Sequence, residues 1–64
     1  MKYKAGAYIQ HKSFNNKLLV MGEDQHKNYL IIYIYSATHP FFDRIVEHTE
    51  SYIEESFILI KEPK

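Results

Sequence analysis

The chain has no cysteine and no tryptophan. Without cysteine there are no disulfides, no thiol nucleophile and no cysteine-ligated zinc centre. Its two glycines, Gly6 and Gly22, stand far apart, so a glycine-rich phosphate loop cannot be built. Charge of one sign is lacking too. Eight Lys and Arg balance eight Asp and Glu, whereas a dedicated nucleic-acid binder carries a clear basic excess. No hydrophobic run is long. The longest spans residues 29–35, far short of the roughly 20 residues a transmembrane helix needs. Met1-Lys2 leads into a polar segment rather than a secretory leader. The chain therefore reads as cytoplasmic.

What is present is one small domain, residues 1–64, rich in rings and extended segments. A domain this short buries only about 60% of the surface its unfolded chain exposes, so its core is marginal. Six Tyr and four Phe make 16% of the chain aromatic, enough to build either a core or a recognition surface. Charge is unevenly distributed. Residues 1–30 hold five lysines against Glu23 and Asp24, and residues 31–64 hold Arg44, Lys61 and Lys64 against six carboxylates. If the halves form different faces, one is basic and one acidic. High usage of Lys, Asn, Ile and Tyr fits an AT-rich coding genome. A phage or mobile-element protein that blocks a host factor is one setting for so compact a chain.

The periodicity is mostly two. Residues 7–14 alternate, and Asn15-Asn16 after them suits a hairpin because Asn tolerates left-handed backbone. Residues 17–21 read as a short strand, closed by Gly22-Glu23-Asp24, with a polar turn at 25–28. Residues 29–35, Tyr-Leu-Ile-Ile-Tyr-Ile-Tyr, are the clearest strand, β-branched and aromatic throughout. Pro40 interrupts the extended pattern. Strands at 44–47 and 57–60 follow, with a polar turn at 48–51, extended chain at Tyr52-Ile53 and one helical turn at 54–56. A helix over 41–57 is the alternative, since its apolar positions fit a helical period in part. Five short strands joined by tight turns predict a small closed barrel, an arrangement that leaves no exposed edge.

The strand at 29–35 offers two faces. Tyr29, Ile31, Tyr33 and Tyr35 share one, and Leu30, Ile32 and Ile34 the other. The aliphatic face is expected to pack the core and the tyrosine face to lie near solvent. Tyr29, Tyr33 and Tyr35, joined by Tyr8, Phe41 and Phe42, then form the candidate partner-binding surface. Alternatively these rings cover the other side of a twisted sheet, or are buried in a symmetric dimer that offsets the small core. Lys12 and Lys17 flank the Asn pair and, with Lys4, make a candidate basic rim for a phosphate backbone. The plainer reading of the three is as solubilising residues.

Catalytic and metal constellations are poor. His11, His26, His39 and His48 lack metal-site spacing. His11 falls on the inward face with Ile9, which points to a hydrogen-bonded structural role. The serines lack a nucleophile elbow, and Glu54 and Glu55 are adjacent rather than opposed across a cleft. No catalytic residue, metal or cofactor is expected.

Two blocks of residues carry a family resemblance. The first is Gly6-Ala7-Tyr8-Ile9-Gln10-His11-Lys12, then Leu19-Val20-Met21 and Asp24. The second is Pro40-Phe41-Phe42, Ile45-Val46-Glu47 and Tyr52-Ile53-Glu54-Glu55. In order and spacing they resemble the HspQ/YccV-like family of heat-shock and hemimethylated-DNA-binding proteins, over about half the chain. The sequence departs from that pattern at Gln10, where the family has Arg, and at Asn15 and Leu18, where it has Gly. Strand 29–35 stands where the family carries a longer polar insertion. The resemblance implies an SH3-like barrel without enzymatic activity, associated with DNA near methylation sites or with delivery of substrates to ATP-dependent proteases. Gln10 and the zero net charge favour the protein-binding half of that inheritance.

The expectation is thus an all-β domain, an SH3-like barrel of about five antiparallel strands, acting as a small adaptor or inhibitor on a protein partner. Two alternatives stand beside it. One is a regulator binding duplex DNA through Lys4, Lys12 and Lys17. The other is a homo-oligomer, a homodimer in the simplest case, that holds a nucleotide-like small ligand among tyrosines.

Overall fold

The structure, a computed structural model, describes residues 2–36 and 44–63. Along the chain run β1 (Tyr8–His11), β2 (Lys17–Glu23), β3 (Tyr29–Tyr35), β4 (Ile45–His48), α1 (Glu50–Ser56) and β5 (Phe57–Lys61). The five strands form one antiparallel sheet in the order β4-β3-β2-β1-β5. The all-β class holds, with one short helix. The sheet is not closed. Among the described residues β4 pairs only with β3 and β5 only with β1, so both keep an open edge. The chain leaves β4 into α1 instead of pairing β4 with β5. No helix among the described residues is long and apolar enough to cross a membrane.

Local chemistry explains the elements. β3 has the limits its β-branched and aromatic run predicts. Before it, the Asp24 carboxylate accepts the backbone N–H groups of His26 (2.8 Å) and Asn28 (2.9 Å), an Asx-type turn completed by Lys27 at φ 63°. Those bonds, led by Asn28, hold the Asp24 carboxyl below its ordinary 3.8. β1 ends at His11 rather than running on through residue 14. His11 Nδ1 accepts from the backbone N–H of Ser13 (3.0 Å) and Phe14 (3.2 Å) and folds the chain into a loop. The structural role expected of His11 is thus observed. As a double acceptor Nδ1 bears no proton, which leaves the imidazole proton on Nε2.

Residues 50–53 differ from expectation. Tyr52 and Ile53, read as extended, lie in α1. Thr49 caps this helix, its Oγ1 accepting from the Tyr52 N–H at 3.3 Å, with Glu50 in the first turn. An N-cap followed by an acidic residue stabilises a helix start, and burial of Ile53 fixes its inner side. Phe57 ends it, donating its N–H to the Ile53 carbonyl as the chain turns extended.

The core lies between the inner face of the sheet and α1. Ile9, Leu18, Val20, Ile31, Ile53 and Phe57 are all at most 1% exposed. Tyr29 and Tyr33 join them at 0% and 3%, and Tyr3 plugs the core from the N-terminal segment. This reverses the faces expected of β3. Tyr29, Ile31 and Tyr33 face inward, Leu30 and Ile32 are half-buried, and Ile34 is exposed. Near the chain ends, Gly6 adopts φ +94°, and a Cβ there would stand 3.0 Å from the Pro63 Cβ. Both the backbone and the space require glycine at this point.

Candidate functional site

The buried tyrosines are placed by their hydroxyls. Tyr29 donates to Glu54 Oε2 at 2.7 Å and accepts the Tyr3 N–H at 3.0 Å. The Lys2 N–H reaches the same Glu54 oxygen at 2.9 Å, and the Tyr3 hydroxyl donates to the Phe57 carbonyl at 2.9 Å. Tyr33 shares a hydrogen bond with His48 Nε2 at 3.1 Å. Burial pushes the Tyr29 phenol up to about 12, and Glu54 adds to the shift. Burial raises Tyr33 as well. The Lys2 N–H and the Tyr29 hydroxyl hold Glu54 below its ordinary 4.5. At neutral pH both phenols keep their protons, and the network ties the N-terminal segment to β3, α1 and the start of β5. Its chemistry is structural.

The candidate partner-binding residues therefore separate. Tyr29 and Tyr33 are interior and out of reach of a partner. A dimer closed over their rings is excluded for the same reason. Tyr35 is 47% exposed. Tyr8 is half-buried on the outer face, with Lys61 Nζ 5.8 Å from its ring centre. Phe41 and Phe42 lie outside the described residues. No group of three or more His, Asp or Glu among the described residues is placed to hold a metal ion.

The lysine rim also separates. Lys4 and Lys12 line one groove of about 620 Å³, together with Lys2, which the sequence reading missed. Lys17 is not in it. That residue stands at the start of β2, opposite Gln10. The groove is walled by Ile58 and Leu59 of β5, and Glu62 is the acidic member of its lining. Three cations against one carboxylate leave it net positive, and its size falls in the range of about 300–1,000 Å³ common for ligand sites. It runs beside the open edge of β5, where Ile58, Leu59 and Ile60 are successively 49%, 39% and 45% exposed. A strand that alternates cleanly between core and solvent does not expose three apolar residues in a row. That run, visible in the sequence at 58–60, was the available signal for an edge.

A second accessible surface is an aromatic row at one end of the sheet. His11 stacks near Phe14 (4.8 Å between ring centres) and meets Phe57 edge-on (5.0 Å). Tyr52 continues the row, 5.7 Å from Phe57 and 5.1 Å from His48. Phe14 and Tyr52 are its exposed members. No protein-family model matches the chain, and no curated protein or solved structure matches it.

Proposed function

We propose that this chain is a non-enzymatic binding module that receives an extended, acidic segment of a protein partner along the open edge of β5. The observation that carries this reading is the coincidence of three features at one place. They are an unpaired strand edge, an apolar wall of Ile58 and Leu59, and the cations Lys2, Lys4 and Lys12. An open edge supplies main-chain donors and acceptors to an added strand, and side-chain pockets then give specificity. The lysines select carboxylates on that strand and speed its approach. This is the adaptor or inhibitor role moved from the tyrosine face to β5.

The barrel reading belongs to the same proposal. A strand order with β1 between β2 and β5, and a short helix before the last strand, is compatible with an SH3-like barrel left open at β4 and β5. The two-block resemblance to the HspQ/YccV-like family supports the same fold. The cluster of Lys2, Lys4 and Lys12 also favours a second reading, duplex DNA held through its phosphates.

One titration separates the two. Labelled N-acetylated peptides of alternating Glu and Val, and DNA duplexes methylated on one strand or neither, are titrated at low and physiological salt. The adaptor reading expects saturable peptide binding with amide shifts along 57–61, weakened by Lys4→Glu and Lys12→Glu. Binding to the half-methylated duplex that survives physiological salt, with no peptide binding, would replace it with the DNA reading.

A further inference from the structure

A second surface, independent of the groove, is the outer face of the sheet. The ladder registers set Lys61 opposite Tyr8, Tyr8 opposite Leu19, Leu19 opposite Ile32 and Ile32 opposite Ile45. Residues opposite one another on antiparallel strands share a face, so one residue from each strand forms a continuous row. Their sequence neighbours Ile9, Leu18, Val20 and Ile31 are core, which makes this row outward. Met21, Ile34 and Ile45 widen it and are 42%, 45% and 59% exposed. A contiguous apolar face of this kind marks an interaction site on a soluble domain.

Its charges identify the occupant. Lys61 stands at the β5 end of the row. Glu47, opposite Leu30 and two residues from Ile45, stands at the β4 end. The face thus carries opposite charges at opposite ends of an apolar centre, a pattern complementary to itself. We propose that it packs against the same face of a second copy of this chain, about a two-fold axis running along β2. That axis reverses strand order, so β5 of one copy lies over β4 of the other. Tyr8 then meets Ile32 of the second copy, Leu19 meets its counterpart, and each Lys61 approaches Glu47 of the other copy. Facing sheets pack about 10 Å apart, a spacing that aliphatic side chains fill. Lys17 comes near its counterpart across the axis, but at the exposed end of β2, where its ammonium stays in water. The interface is isologous and closes at two copies. It also gives a domain with a limited core a second apolar layer.

The test is sedimentation equilibrium over a concentration series, with folding checked by circular dichroism. The wild-type chain is expected to be a dimer at micromolar concentration, and Ile32→Glu a folded monomer. Lys61→Glu and Glu47→Lys, singly, should each raise the dimer dissociation constant about tenfold, because each puts like charges together twice. The double reversal should restore wild-type affinity. A wild-type chain that stays monomeric to about millimolar concentration, where Kd corresponds to only about 4 kcal/mol, overturns the proposal. So does a dimer indifferent to Ile32→Glu, or one whose affinity neither single reversal changes. None of these three residues lines the groove beside β5, so its peptide binding is unaffected by any of these outcomes.

Discussion

On one side of β3 stand Tyr29, Ile31 and Tyr33, and on the other Leu30, Ile32 and Ile34. The side with two hydroxyls is the buried one, and the side with only hydrocarbon is the more exposed. Polarity alone would order them the other way. Partners decide the matter. Each buried phenol has a hydrogen bond within 3.1 Å, to Glu54 or to His48, so burial costs it no unmet polar group. The rings also fill a core that six-carbon side chains would leave loose in a domain this short. The aliphatic side is left facing out, and its exposure marks it as a contact surface.

Three measurements would break or sharpen that contrast. The largest effect comes from truncating neighbours on the two sides of β3, followed by urea unfolding of dilute protein. Ile31→Ala, at 0% exposure, should cost about 2–5 kcal/mol. Ile32→Ala, one residue on, should cost about 1 kcal/mol or less. Equal losses would mean that the two sides are not inner and outer.

Next is the hydroxyl of Tyr29. Tyr29→Phe keeps the ring but leaves the Tyr3 N–H without its acceptor and Glu54 without one donor. A loss of about 1–3 kcal/mol is expected for an orphaned buried donor. No measurable loss would show that burial of the ring, and not its hydrogen bonds, decides the face.

The smallest effect is the pH slope of stability. Tyr29 has its folded pKa raised from 10.0 to about 12. Above pH 10 the folded protein therefore holds a proton that the unfolded chain has released, and stability falls as pH rises through that window. Tyr29→Phe should make the alkaline slope shallower. Glu54, whose folded pKa is depressed below 4.5, acts in the opposite direction. Its contribution is present above that pH and is lost as pH falls below it, so Glu54→Gln should flatten the acid limb. Slopes that these substitutions leave unchanged would remove both groups from the account.

Much of the fold was legible from local pattern. β3 has the limits its composition predicts, and β2 and β5 differ only at their ends. The start of α1 was missed because extended propensity at Tyr52-Ile53 was weighed without the Thr49 cap, which satisfies a helix N–H directly. The face of β3 was not legible, because both sides are apolar. The deciding partner of Tyr29 lies 25 positions away, where no local window reaches. Lys4 and Lys12 were singled out together and do share a groove. Lys2 escaped notice because nothing in the sequence shows that the N-terminal segment folds back onto β5.

That fold-back has a consequence for time rather than energy. The Tyr3 hydroxyl meets the Phe57 carbonyl across 54 positions, and the β1–β5 ladder that adjoins it joins similarly distant residues. Contacts of this reach must close a long loop before they stabilise anything. The hairpins β1–β2 and β2–β3 form from neighbours in sequence. The seam between Tyr3, β1 and β5 waits for the whole chain to be present, and refolding belongs in the range of about milliseconds to seconds typical of small all-β domains.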